Sequence, residues 1–440
     1  MALVAARPNE KACSMNAASY FHNYRLLATV GALYVAQGIP LGLAMETLPT
    51  LLRRDGVSLT GIAFLPLVGL PWIVKFLWAP FVDNHWSRRI GKRRSWIIPM
   101  QATVFLCLAA VAILGIGEAT TPIAIALFAL ASLASATQDT ATDGLGAENF
   151  EGAMLVRANA VQVGGTMIGF FIGGAGCLIL AGMLGRQAAL AAMALIVLSG
   201  LVLILLWREP APAAQSTTRP EHASLSRFVR RPGAVSVLAI ALLTAVTASS
   251  VFGLSKLFLI DRGWALEAIG QIGMIGGVVT VVVGCGGGAW LVRRMGIARV
   301  LLLSLGLSCA GACLWIMQAS AILPVERHIA LVAILLGSAG SGGASVAAMT
   351  LAMRFAARAR QAGTDMTVVQ SSRDLGEIGT SATVTAIAGV AGYSSGFAFS
   401  IVAAIAAVFV ILSFRRNDAL RQLADEASDG EEWSPRLNPD

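Results

Sequence analysis

The sequence predicts an all-α protein that crosses a membrane twelve times. Apolar runs of about 20 residues recur along most of it, each long enough at ~1.5 Å per residue to cross a ~30 Å hydrocarbon core. The 440 residues are 56% hydrophobic and only 13% charged, with a mean hydropathy of +0.74. Lys and Arg gather in alternate connections between the runs. This composition lies outside the range of soluble globular domains.

In order, the expected spans are 26–52, 60–82, 96–116, 121–143, 154–182, 186–207, 234–260, 264–292, 298–319, 327–354, 365–391 and 394–414, here helices 1 to 12. Residues 1–25 contain no apolar core followed by a small-residue cleavage site, so no signal peptide is expected. The 2–3 connection carries Arg88, Arg89, Lys92, Arg93 and Arg94, and the 208–232, 8–9 and 10–11 connections are also basic. The opposite set holds Arg53 and Arg54 and then single arginines at most. The positive-inside rule therefore places the N-terminal segment 1–25, the connection 208–232 and the tail 415–440 in the cytoplasm.

The stretch REPAPAAQSTTRPEHASLSRFVRRP (208–232) is rich in Pro, Ser and Thr and reads as a linker between helical blocks 26–207 and 233–414. RRIGKRR (88–94) after helix 2 and RRMGIAR (293–299) after helix 8 share the pattern Arg-Arg-apolar-Gly-x-x-Arg, in equivalent loops. Two six-helix halves with such an echo suggest a duplicated transporter.

Several function classes drop out. The formal charge of +8 is spread over short loops without a compact basic domain, so no nucleic-acid partner is expected. Of six cysteines only Cys13 lies outside apolar segments, and no CxxC framework exists. The runs VGGTMIGFFIGGAG (163–176) and GCGGG (284–288) lack GxxxxGK[ST] and read as close helix packing. No HExxH or nucleophile elbow appears, and the four histidines fall in loops or at helix ends. Neither an enzyme, a cofactor nor a metal centre is expected.

The stretches LPWIVKFLWAPFVDNHWSRRIGKRRSW (70–96) and SATQDTATDGLGAE (135–148) resemble the peptide/acetyl-coenzyme A/drug branch of the major facilitator superfamily, which includes the muropeptide permeases. Within it, YVAQGIPLGLAMETLPTLLR (34–53) and QSSRDLGE (370–377) look most like bacterial siderophore permeases of the pyochelin, rhizobactin and yersiniabactin-associated type. The resemblance implies a monomeric inner-membrane carrier of two six-helix bundles. It would import a siderophore or its metal chelate by rocker-switch alternating access, coupled to protons. Muropeptide import is the alternative within transport, and a non-transporting membrane scaffold the alternative from another class. One departure is that Asp83 precedes Gly91 by eight residues, where the superfamily loop has three. This weakens any gating role carried over to Asp83.

An ionisable group at mid-bilayer costs at least ~2.5–3.5 kcal/mol, so it tends to face a bundle interior and to have a partner. In helix 11, Gln370, Arg373, Asp374 and Glu377 stand at i, i+3, i+4 and i+7, with Thr380 or Ser381 a turn further. They read either as one lining stripe for substrate and protons or as an Arg373–Glu377 pair that satisfies itself. Lys75 in helix 2 lies at a depth to pair with Asp139 of helix 4; with helices 2 and 11 adjacent, as the resemblance implies, Asp374 or Glu377 are the other choices. Asp143, a turn beyond Asp139, is placed near the interface as a helix cap. Glu46 and Lys256 sit near the outer ends of helices 1 and 7, which face each other in the resembling fold, and form a candidate gate.

Arg157 is an interfacial anchor or an anion contact, and the 88–94 cluster is expected to face lipid headgroups. Trp72, Phe76 and Trp78 offer flat apolar area around Lys75 to an aromatic chelate. The candidate set is thus Lys75, Trp72, Trp78, Arg373, Gln370 and Arg157 for substrate. Asp139, Asp374 and Glu377 are the candidates for protons, and Glu46, Lys256, Asp83 and Asp143 for gating.

Overall fold

A computed structural model describes residues 10–117, 119–150, 152–207, 209, 225–357 and 362–416. No strand occurs among them. Twelve helical passages follow in order: α1 (Tyr24–Arg54), α2 (Leu59–Leu77), α3 (Arg94–Leu114), α4 (Thr121–Asn149), α5 (Val161–Leu184), α6 (Arg186–Leu206), α7 (Ala234–Asp261), α8 (Leu266–Val282), α9 (Ile297–Ala319), α10 (Arg327–Ala357), α11 (Ala362–Ala391) and α12 (Tyr393–Arg416). Ten of these are long and apolar enough to span a membrane. Of the other two, α8 is interrupted by a π turn at Val283–Gly287 before continuing as Gly288–Met295. The other, α11, carries the charged stripe.

Helix α2 is the least regular. Pro66 and Pro71 each remove a backbone donor, and the chain is interrupted by 3-10 turns at Leu65–Gly69 and Lys75–Leu77. Helices α1 and α5, by contrast, touch backbone to backbone. A Cβ on Gly42 would lie 2.1 Å from the Phe170 carbonyl oxygen, and one on Gly169 2.0 Å from that of Val35. The glycine run 163–176 is thus a packing seam rather than a ligand loop.

Across the molecule α1 meets α7, α2 meets α11, and α5 meets α8. The last two contacts exchange under the rule that helix n corresponds to helix n+6, as a duplication requires. The echoed loops agree with it: Gly91 in RRIG and Gly296 in RRMG both take positive φ, 112° and 81°. The first caps the turn before α3 and the second the turn before α9. Within the linker only Glu209 and residues 225–232 are described, with a short helix at Leu225–Val229; the rest of 208–232, and the tail beyond 416, lie outside the described residues.

Candidate functional site

For orientation, the side bearing the α2–α3 loop is called the loop-2 side, and the side bearing the α1–α2 turn the far side. Between α1, α5, α7, α8, α10 and α11 lies a cavity of about 140 Å³. Its wall combines hydroxyls (Thr166, Ser249, Thr280, Ser341, Ser345, Ser381), the rings of Phe170, Phe171 and Phe252, and the charges of Glu46, Arg373 and Glu377. The three phenylalanines contact one another, with centroids 5.6–6.1 Å apart.

The stripe on α11 divides. Residues 373, 377 and 381 recur every fourth position and face the cavity, where Arg373 Nε and Nη2 donate to Glu377 Oε1 at 2.8 and 2.7 Å. Asp374 is rotated ~100° from them and comes within electrostatic range of Lys75 and Asp139. Gln370 is half-buried and does not line the cavity. The single charged face expected from sequence is therefore corrected to two faces with different neighbours.

Lys75 is paired with Asp139. Gln37 of α1 donates to the other oxygen of that carboxylate, and Ser135 Oγ fixes the Gln37 turn by donating to its carbonyl at 2.7 Å. Asp143 is not a helix cap. Its Oδ1 accepts from Tyr34 Oη and Gln162 Nε2, each at 2.7 Å, inside the α1–α4–α5 junction. The Lys75 ammonium sits 5.1 Å from the Trp72 ring, but Trp72 is buried against Ala136 and Ile378, and Trp78 packs in the same cluster. Neither tryptophan lines the central cavity.

Arg157 is exposed, its guanidinium on Tyr24, and is likewise absent from the cavity wall. The geometry there is that of an anchor. The side chain of Asp83 lies outside the described residues.

Glu46 and Lys256 form an ion pair across α1 and α7, each residue only 2% exposed. Sequence fixes the pocket: Glu46 lies in a π turn, Leu43–Thr47, and abuts Gly174 in a second π turn, Ile172–Gly176, where any Cβ would sit 1.9 Å from a Glu46 oxygen. Lys256 is also 4.4 Å from the Phe252 ring.

Two polar clusters went unrecognised in the sequence. On the far side, Arg53 at the end of α1 forks onto Asp261 at the end of α7 (2.7 and 2.6 Å), and Tyr393 at the start of α12 donates to the same carboxylate at 2.7 Å. The signal was an acid and arginines closing equivalent helices, RRDG at 53–56 and DRG at 261–263. Exposed ion pairs hold ~0.2–1 kcal/mol, so Arg53→Ala is expected to cost little stability. It should raise far-side thiol labelling of Thr385→Cys, in the small cavity beneath, several-fold in a background free of exposed cysteines. Labelling unchanged from the parent would show that Arg53 does not hold this side shut.

On the loop-2 side, Arg93 is buried rather than turned to lipid, which corrects the expectation for the basic loop. It donates to Glu148 from Nε (3.0 Å) and Nη2 (2.7 Å), beside Lys92 at 2.7 Å. Glu209 accepts from the backbone N–H groups of Arg93 and Arg94 at 3.0–3.1 Å. Just past the apolar part of α4, burial alone would raise the Glu148 pKa, but the hydrogen bonds from Arg93 and Lys92 outweigh it and hold the carboxyl below its ordinary value.

The sequence matches the Major Facilitator Superfamily over residues 30–381. It is 30% identical over 277 residues to the anhydromuropeptide permease of Escherichia coli (strain K12), a match covering 61% of this chain and 55% of that one. The chain therefore spans about half the length of that relative. It is 26% identical over 289 residues to putative transporter AmpG 4 of Rickettsia felis, covering 63% of this chain and 69% of that one. The crystal structure of a D-xylose–proton symporter superposes with a TM-score of 0.67 at 14% identity, over 93% of this chain and 99% of that one. This last likeness is one of fold.

Proposed function

The chain belongs to the major facilitator superfamily, and from that membership we propose an importer of cell-wall sugar–peptides in the bacterial inner membrane, with both termini cytoplasmic. A muropeptide presents sugar hydroxyls, amides and carboxylates together. The observation that carries the reading is the cavity wall, where six hydroxyl side chains, three phenylalanine rings and one Arg–Glu pair converge. Sugar rings stack on aromatic faces and their hydroxyls pair with Ser and Thr, while Arg373 offers a fork to a carboxylate. The muropeptide-permease relative points the same way. No relative named above is a siderophore carrier, and Trp72 and Trp78, offered to an aromatic chelate by the sequence, face away from the cavity.

The proposed mechanism is alternating access between the bundles 26–207 and 233–414, acting as a monomer. In this mechanism Glu46–Lys256 and Arg53–Asp261, which join α1 to α7, would hold the far side closed. Asp139, Asp374 and Glu377 remain the proposed proton carriers, the first two beside Lys75 where α2, α4 and α11 meet and the third paired with Arg373 on the cavity. Protonating an acid there weakens its hold on the paired cation and so changes how α2, α4 and α11 fit together.

In proteoliposomes, labelled anhydromuropeptide should accumulate when the outside is acidic, and a protonophore or Asp374→Asn should reduce accumulation at least ten-fold. Accumulation unmoved by both would remove proton coupling. Transport of a ferric siderophore, with none of the muropeptide, would overturn the substrate. A scaffold would show neither uptake nor any response to Asp374→Asn.

A further inference from the structure

Among the described residues, three ion pairs stand away from the helix ends, and they differ in access. Lys256–Glu46 is sealed, with side chains 2% and 1% exposed, and Lys75–Asp139 is nearly so at 11% and 6%. Arg373–Glu377 stands open on the cavity, with side chains 27% and 31% exposed. It is also incomplete. Both recorded donations, from Nε and Nη2, converge on the single oxygen Oε1. Among the described residues, Nη1 of Arg373 and Oε2 of Glu377 have no recorded partner, so the Nη1–Nη2 edge and one carboxylate oxygen remain available beside each other.

A fixed donor fork next to a fixed acceptor calls for a ligand that is acceptor and donor at the same spacing. A carboxylate alone satisfies the guanidinium but adds an uncompensated negative charge to a cavity where Glu46 and Glu377 are already balanced by Lys256 and Arg373. An amine alone leaves the fork open. A carbon bearing both a carboxylate and an ammonium group satisfies both and adds no net charge, closing a ring of four alternating charges. The hydroxyls of Ser249 and Ser381 line the same cavity, and Phe252 supplies an apolar side.

We propose that Arg373 and Glu377 form a subsite for an α-ammonium carboxylate, the free amino-acid end that a transported sugar–peptide presents when its last residue is joined through its side chain. The carboxylate takes the Nη1–Nη2 edge of Arg373 and the ammonium takes Oε2 of Glu377. This subsite rests on the sugar–peptide reading and adds to it which end of the ligand is recognised. It also gives Glu377, in its ionised form, a role in selectivity.

Four ligands test it in proteoliposomes of the full chain: an anhydro-disaccharide peptide whose last residue is joined through its side chain and keeps free α-amino and α-carboxyl groups, its carboxamide, its N-acetyl form, and the peptide-free disaccharide. In the wild type, either block should raise KM about ten-fold. In Arg373→Lys, the ratio of KM between carboxamide and free acid should fall toward one, while the penalty for N-acetylation persists. In Glu377→Gln the pattern should reverse. Reading ratios rather than absolute uptake separates recognition from a variant that merely folds less well. Equal KM for all three peptides in the wild type, or ratios unmoved in both variants, would overturn the subsite. Uptake of the peptide-free disaccharide by the wild type alongside such a result would leave the sugar–peptide reading standing. No uptake of any of the four would instead overturn that reading itself.

Discussion

Lys256→Met is expected to destabilise the protein by ~3–5 kcal/mol, because it strands Glu46 as an unpaired buried charge. Glu46 is 2% exposed, and Lys256 is its only charged partner among the described residues. Nor can the pocket relax around it easily, since Gly174 already gives the carboxylate the space of a missing Cβ. Thermal unfolding in detergent should show a midpoint well below the parent. Adding Glu46→Gln removes the stranded charge and should recover more than half of the loss. The two proposals part on function: if the pair holds the far side closed, the double variant should be stable yet show raised far-side thiol labelling and impaired uptake. Full uptake by the double variant would confine the pair to a structural role.

Gly169→Ala should be the most damaging of the small substitutions. Its Cβ would sit 2.0 Å from the Val35 carbonyl oxygen, 2.9 Å from the Val35 carbonyl carbon and 3.0 Å from the Gly38 Cα. Backbone cannot rotate out of the way as a side-chain tip can, so α1 and α5 must separate. A cost at or above ~3 kcal/mol is expected, the upper end for overpacked cores. The matched control is Gly306→Ala in α9, where a Cβ meets nothing within 4 Å. It should be neutral or stabilising by up to ~1 kcal/mol through helix propensity. Equal midpoints for the two variants would contradict the seam.

The sequence carried some of this arrangement and not the rest, for identifiable reasons. Membrane-spanning helices were legible because apolar length is a local property, and the glycine seam because small residues on a spanning helix have few other uses. The contact between Glu46 and Lys256 was reached by combining charge, depth and the resemblance. The split of α11 was not legible. An i, i+3, i+4, i+7 pattern defines a broad stripe, and only the positions of α2 and α7 decide that Asp374 leaves the cavity while Arg373 and Glu377 stay. Gln37 was readable as a lone amide in the apolar run of helix 1, but its partner Asp139 lies 102 residues away. Arg93 looked like its basic neighbours in the same loop. What sets it apart is Gly144, whose missing side chain leaves room for the guanidinium, where a Cβ would lie 2.1 Å from Cζ.

The π turn at Leu43–Thr47 has a further effect on α1. Before it, Gly31, Gly38 and Gly42 point at α5; Glu46 within it and Arg53 after it pair with residues of α7. A π turn holds one residue more than an α turn, so it offsets the angular phase of the rod beyond it. Wound as α-helix throughout, the same residues would turn the outer end by ~100°, carrying Arg53 off Asp261 while the seam with α5 kept its register. Rewinding at this point would be a screw motion of the outer quarter of one helix, one that parts Arg53 from Asp261 without requiring either half to tilt.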